Sequence, residues 1–159
     1  MYRAFSYRSV PVYVHWSALG VFAWAMLAGL LVNPGMLLVA PGSLLLMAVH
    51  ELGHLEIARR RGHRGIRIDI YPWLGLCHVD APENRRDDLE IAWGGVLAQA
   101  PLLLLAVAVE PLRDTIPALG SVSFVFGYLN TLMILFNLLP IAPLDGHKAW
   151  RLVPLLLRR

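Results

Sequence analysis

The sequence predicts an α-helical integral membrane protein with about four transmembrane helices and a short membrane-surface β-hairpin between the second and third. Of its 159 residues, 57% are hydrophobic, whereas a soluble domain reaches roughly 45–50% even with glycine counted. Only 16% are charged, too few to cover an aqueous globule of this size, which disfavours a soluble all-helical alternative. The basic residues are also distributed asymmetrically about four apolar segments. The length suits a single membrane-embedded domain over residues 1–159, and there is no internal repeat or low-complexity tract. The lone cysteine, Cys77, excludes an intramolecular disulfide and a cysteine-based zinc framework.

The apolar segments lie at about Val12–Val32, Ser43–Ala58, Leu89–Val109 and Gly120–Leu139. The first reads as an uncleaved span. It runs well past the small-residue site Ala23-Trp24-Ala25, whereas a signal h-region ends after about 7–15 residues. The second, with its Pro41-Gly42 lead-in, covers roughly 27 Å of helix against a hydrocarbon core of about 30 Å. It is a marginal span with polar residues toward its far end. Asn33-Pro34-Gly35 and the stretch from Pro111 to Pro117 carry turn residues that separate the spans. Between the second and third, GIRIDIYPWLGLCHVD (Gly65 to Asp80) alternates Ile66, Ile68 and Ile70 with Arg67 and Asp69, then breaks at Pro72. That alternation is a strand signal. The second arm reads equally well as a paired strand or as an amphipathic loop.

If all four segments cross, the amino terminus, the 59–88 loop and the carboxy end share one face. They carry every Lys and Arg of the 14 except Arg113. By the positive-inside rule, both termini and the long loop are cytoplasmic. The formal charge of +3 is thereby explained by topology, and nucleic acid is not needed as a partner.

AVHELGH, residues 48 to 54, places two imidazoles and a carboxylate in the second apolar segment. Residues i and i+4 of a helix share one face, so His50 and His54 can hold one metal ion with Glu51 beside the first ligand. Neutral imidazole suits zinc, and Glu51 is placed to take a proton from the water such an ion activates and hand it to a leaving amine. HExxH also arises by chance on partly exposed helices, but ionisable groups inside a membrane span point to function. A third ligand is needed. Ile57 and Arg60 stand where a metzincin requires glycine and histidine, Glu56 lies on the wrong side of the helix, and Glu110 and Asp114 belong to the opposite membrane face. Asp145 remains: it follows a span that returns to the cytoplasmic side. It sits in NLLPIAPLDG, where Pro140 and Pro143 break the helix and free backbone groups.

In HELGH, in NLLPIAPLDG (Asn137 to Gly146), in VPVYVHWS (Val10 to Ser17) and in WGGVLAQ (Trp93 to Gln99), the chain resembles the site-2 protease family of intramembrane zinc metalloproteases. The resemblance is to the compact form without a PDZ domain. It implies that His50, His54 and Asp145 bind one zinc ion, that Glu51 is the general base, and that the site lies below the cytoplasmic surface. It further implies that Asn137 positions substrate and that the strand carrying Ile68 and Ile70 offers an edge to an unwound substrate helix. Gln99 stands where the family's third-span segment has asparagine and is carried as a further substrate-binding candidate. Val96 replaces that segment's proline, and His147 takes a place often held by glycine.

The implied activity is that of a hydrolase, a zinc endopeptidase cutting in or near transmembrane segments of membrane-protein substrates. Its setting would be a bacterial inner membrane, with the lipid bilayer and a regulatory membrane partner as neighbours. Two other readings compete. A non-catalytic zinc-containing membrane binding protein would have no need of Glu51. A metal-handling membrane protein would carry further ligands along its spans, where only His15 is available.

Overall fold

The amino-terminal residues build more sheet than the single hairpin expected. The computed structural model describes residues 1–32, 37–72, 75–80, 84–116 and 118–157. The Asn33-Pro34-Gly35 turn, Pro117, Arg158 and Arg159 lie outside the described residues. Strand β1 (Tyr2–Tyr7) turns through Arg8 and Ser9, both with positive φ, into β2 (Val10–Val14). β2 pairs in parallel with β3 (Arg67–Ile70), which pairs antiparallel with β4 (Gly75–His78), giving the order β1-β2-β3-β4. The second arm of the surface hairpin is therefore a paired strand. A parallel pair needs a long crossover, here supplied by helices α1 (Trp16–Leu31) and α2 (Val39–Arg60).

This sheet corrects the start of the first apolar segment. Val12 belongs to β2, where its register partner is Ile68, and the helix begins only at Trp16. The β-branched Val10, Val12 and Val14 alternate with Pro11 and Tyr13, a strand pattern that the continuously apolar stretch conceals. His15 caps α1, its Nδ1 accepting from the Ser17 backbone N–H at 3.3 Å.

Helix α3 (Arg85–Val109) leads through a short 3₁₀ turn to α4 (Ala118–Val122). A π-helical stretch (Ser123–Leu129) then joins α4 to α5 (Asn130–Asn137). Among the described residues, two helices are long and apolar enough to cross a membrane, Arg86–Leu112 and Leu119–Asn137, matching the third and fourth expected segments. α1 is apolar but has only 16 residues, about 24 Å, and α2 has 22 residues interrupted by the HELGH polar groups. Leu104, Leu105, Leu135 and Phe136 stand exposed along α3 and α5, as a bilayer-facing surface requires. Two short helices, α6 (Gly146–Ala149) and α7 (Leu152–Leu157), end the described chain.

One face of the sheet packs on α2: Val10, Val12, Ile66, Ile68 and Ile70 meet Met47, Leu55 and Ala58. Ile68 and Ile70 are thus core residues of an interior strand, and their proposed edge for substrate is not there. Both sides of β3 are already hydrogen-bonded, whereas among the described residues β4 pairs with β3 alone, so the outer edge on the side of the site is that of β4.

Helices α2 and α3 touch backbone to backbone at Gly53 and Gly94. A Cβ at either position would overlap the other's carbonyl group. At Gly95 a Cβ would run into the His50 ring. The two glycines of WGGV and the glycine of HELGH are what bring α3 flat against the motif.

Candidate metal centre

His50 and His54, one turn apart on α2, turn their Nε2 atoms toward the same point, 3.1 Å from each other. Asp145, at the amino end of α6, brings its Oδ2 to 3.0 Å from His50 Nε2 and 3.2 Å from His54 Nε2. The three expected ligands, drawn from the second and last parts of the chain, therefore meet. Both histidines are buried, and Asp145 is about a quarter exposed.

The other ring nitrogens decide what this cluster can hold. His54 Nδ1 donates to the Ile91 carbonyl at 2.7 Å, and His50 Nδ1 donates to Gln99 Oε1 at 3.0 Å. With both protons committed there, the facing atoms of the cluster are three lone pairs with no hydrogen between them. Such an arrangement is repulsive unless a metal ion or an added proton sits within it. Its edges of 3.0, 3.1 and 3.2 Å are close to the roughly 3.3 Å that separates ligand atoms bonded tetrahedrally at about 2.0–2.1 Å. Imidazole nitrogen and carboxylate oxygen are donors suited to a borderline divalent ion, so the residues present fit a metal.

Glu51 is buried beside the cluster and lines the same cavity, of about 420 Å³. The opposite wall is β4 with Gly75, Leu76 and Cys77, and the rim includes Asn137, Pro143 and Leu144. A Cβ at Gly75 would overlap the Glu51 carboxylate, so glycine there lets the edge strand close over the acid. Burial, reinforced by the charges of Glu51 and Asp145, pushes the Cys77 thiol up to about 12, leaving it a protonated wall at neutral pH.

Asp145 is held in place by groups that motif reading missed. Trp93 Nε1 on α3 donates to the Ala149 carbonyl at 2.8 Å, and Trp150 Nε1 donates to the Leu138 carbonyl at 2.6 Å. The two indoles meet edge to face, 5.7 Å between centroids. Lys148 reaches Asp88 of α3 at 2.8 Å. Trp93 heads the WGGVLAQ segment, the one sequence signal that pointed toward this anchor.

The remaining candidates are distributed as follows. Asn137 lines the cavity while its Nδ2 donates to the Met133 carbonyl at 3.0 Å. Gln99 is fully buried behind His50, and its bonded partners are His50, Met133 and Asn130, so it does not face the cavity as a substrate contact. Its expected role is corrected on that ground. His147 accepts from Arg151 at 3.0 Å, away from the ligand cluster.

No protein-family profile matches the chain. Among characterised sequences, it is 31% identical over 159 aligned residues to a Mycobacterium tuberculosis protein named "Putative zinc metalloprotease Rip3", covering 88% of this chain and 40% of that protein. It is 33% identical over 107 residues to stage IV sporulation protein FB of Bacillus subtilis, covering 66% of this chain and 36% of that protein. The solved site-2 protease of Methanocaldococcus jannaschii superposes with a TM-score of 0.67 at 21% identity, covering 96% of this chain and 70% of that one, a likeness of fold. The chain is thus similar in sequence to a protein named as a zinc metalloprotease and in fold to a site-2 protease. It spans about 40% of the length of the curated relatives it matches. The HELGH and LDG elements that carried the resemblance in sequence are the ones whose side chains converge in the fold.

Proposed function

We propose that this chain is an intramembrane zinc endopeptidase that hydrolyses peptide bonds in or near transmembrane segments of membrane-protein substrates. The observation that carries this reading is the convergence of three lone pairs from His50, His54 and Asp145 beside a buried carboxylate that needs no part in holding the ion. A structural ion would be served by the three ligands alone. Zinc, when bound, supplies Lewis acidity toward a water molecule and the scissile carbonyl.

The chain's own residues do the rest. Glu51 accepts a proton from the attacking water on its carboxylate and returns it to the leaving amine. The exposed edge of β4 offers main-chain hydrogen bonds to a substrate segment that has unwound, which replaces the bonds its helix gives up. The substrate edge thus belongs to β4 and not to the strand carrying Ile68 and Ile70. Asn137 lines the cavity, which supports a role in holding the substrate main chain.

The proposed setting is a bacterial inner membrane crossed four times, with termini and active site on the cytoplasmic side. Support comes from the basic residues of the 59–88 loop and carboxy end, and from the two apolar helices. A regulatory membrane partner would control access to the cavity.

Glu51→Gln tests the chemistry. It conserves volume and leaves all three ligands, so one zinc per chain should remain while cleavage of a membrane-spanning substrate falls by about 10²–10⁴-fold. Wild-type turnover by Glu51→Gln, with zinc verified by elemental analysis, would eliminate the general-base role. A wild-type protein that binds zinc but cleaves no substrate in its own membrane would favour the non-catalytic binding protein.

A further inference from the structure

The two histidines of the cluster are oriented by different kinds of partner. His54 Nδ1 donates to a main-chain carbonyl, Ile91, which no side-chain substitution removes. His50 Nδ1 donates instead to a side chain, Gln99 Oε1, at 3.0 Å. Gln99 is 0% exposed and lies one helical turn beyond Gly95, the residue that rests on the His50 ring. A bare glycine at 95 lets α3 approach the ring, and the side chain four residues later reaches its Nδ1.

The amide is itself oriented. Gln99 Nε2 donates to Met133 Sδ at 3.1 Å, and the Gln99 main-chain carbonyl accepts from Asn130 Nδ2 at 3.2 Å. Asn130 is also fully buried. Turning the amide over would face its NH₂ toward His50 Nδ1 and require the ring proton to sit on Nε2. That nitrogen is the one aimed at Asp145 and His54.

We propose that Gln99 is a positioning residue that fixes His50 in the tautomer with Nδ1 protonated and Nε2 free to bind metal. The inference rests on the metal-site reading above and deepens it. Gln99 touches neither the substrate cavity nor the ion; it acts through His50. Outer partners of this kind hold ring orientation and raise ligand basicity, and their loss typically weakens metal binding by about 10–100-fold. A shorter side chain at 99 would retract the oxygen by one methylene, which is a physical reason for glutamine here where the family's segment has asparagine.

The test is zinc affinity of the full chain purified in detergent, measured by competition with a chromophoric chelator alongside unfolding of the metal-free protein. Gln99→Met keeps the length and removes the oxygen; it should bind zinc about 10–100-fold more weakly while unfolding as wild type does without metal. Gln99→Glu retains an acceptor oxygen and should restore wild-type affinity, a rescue that a purely space-filling role would not produce. Wild-type affinity in Gln99→Met, or Gln99→Glu binding as weakly as Gln99→Met, would overturn the inference. If Gln99→Met fails to fold, Gln99→Glu decides alone: wild-type affinity upholds the assignment and weakened affinity removes it. Failure of the underlying reading looks different, since zinc would then be missing from wild type or fully retained by His54→Ala.

Discussion

The two sides of the metal centre are built by different means. His50 and His54 stand on one helix clamped against another, backbone to backbone at Gly53 and Gly94, with both Nδ1 atoms held by α3. Asp145 arrives on an irregular segment after α5, held by two indole N–H groups and a partly exposed Lys148–Asp88 pair. One side is fixed by close packing and the other by a few directional bonds at the cavity rim. The difference matches the burial of each side. Two ligands stay preorganised in a buried wall, whereas the third stands partly exposed beside the cavity.

The largest effect should come from attacking the clamp. In Gly94→Val a side chain would be forced against the Gly53 carbonyl, and overpacking of this kind costs about 1–3 kcal/mol or more. The expected outcome is a lowered unfolding temperature together with loss of zinc. Retained stability and zinc would mean that the helix contact is looser than its geometry.

Asp145→Asn should separate the two sides. The amide is a poor zinc ligand, so zinc is lost on dialysis, yet hydrogen-exchange protection of Ala48–Ala58 and Ala92–Gln99 should stay at the wild-type level. A collapse of that protection would show that the ion, and not the glycine contact, holds the helices together.

Trp150→Phe should give the smallest change. It keeps a ring against Trp93 but deletes the bond to the Leu138 carbonyl, a loss of about 0.5–1.5 kcal/mol. Hydrogen exchange should quicken across Pro140–Trp150 only, with zinc still bound. Exchange rising equally in α2 would contradict the division.

Much of this centre was legible because its chemistry is written in local spacing. His50 and His54 at i and i+4 share a helix face wherever that helix forms, and elimination of the other acids together with the expected return of the last span singled out Asp145, which the fold brings to them. The alternation of Ile66, Ile68 and Ile70 correctly announced a strand with a buried face. Its neighbours did not follow from the pattern. Period-two alternation says which face is apolar but not which strands flank it, and the edge that the resemblance implies at Ile68 and Ile70 is closed by β2 pairing on the far side of β3. The same limit hid β2 within an apolar segment, since Val10–Val14 satisfies helix and strand hydropathy alike.

Gln99 marks the boundary most clearly. Its place in WGGVLAQ tied it to the site, but whether a polar side chain on α3 faces the cavity or the back of a ligand depends on how α3 is rotated against α2. The sequence by itself determined which groups could bind a metal, because ligand chemistry and helical period are local properties. Only the tertiary structure decided which partner each ligand's second nitrogen would find and which strand would be left with an open edge, because those depend on glycine contacts and strand pairings between residues far apart in the chain.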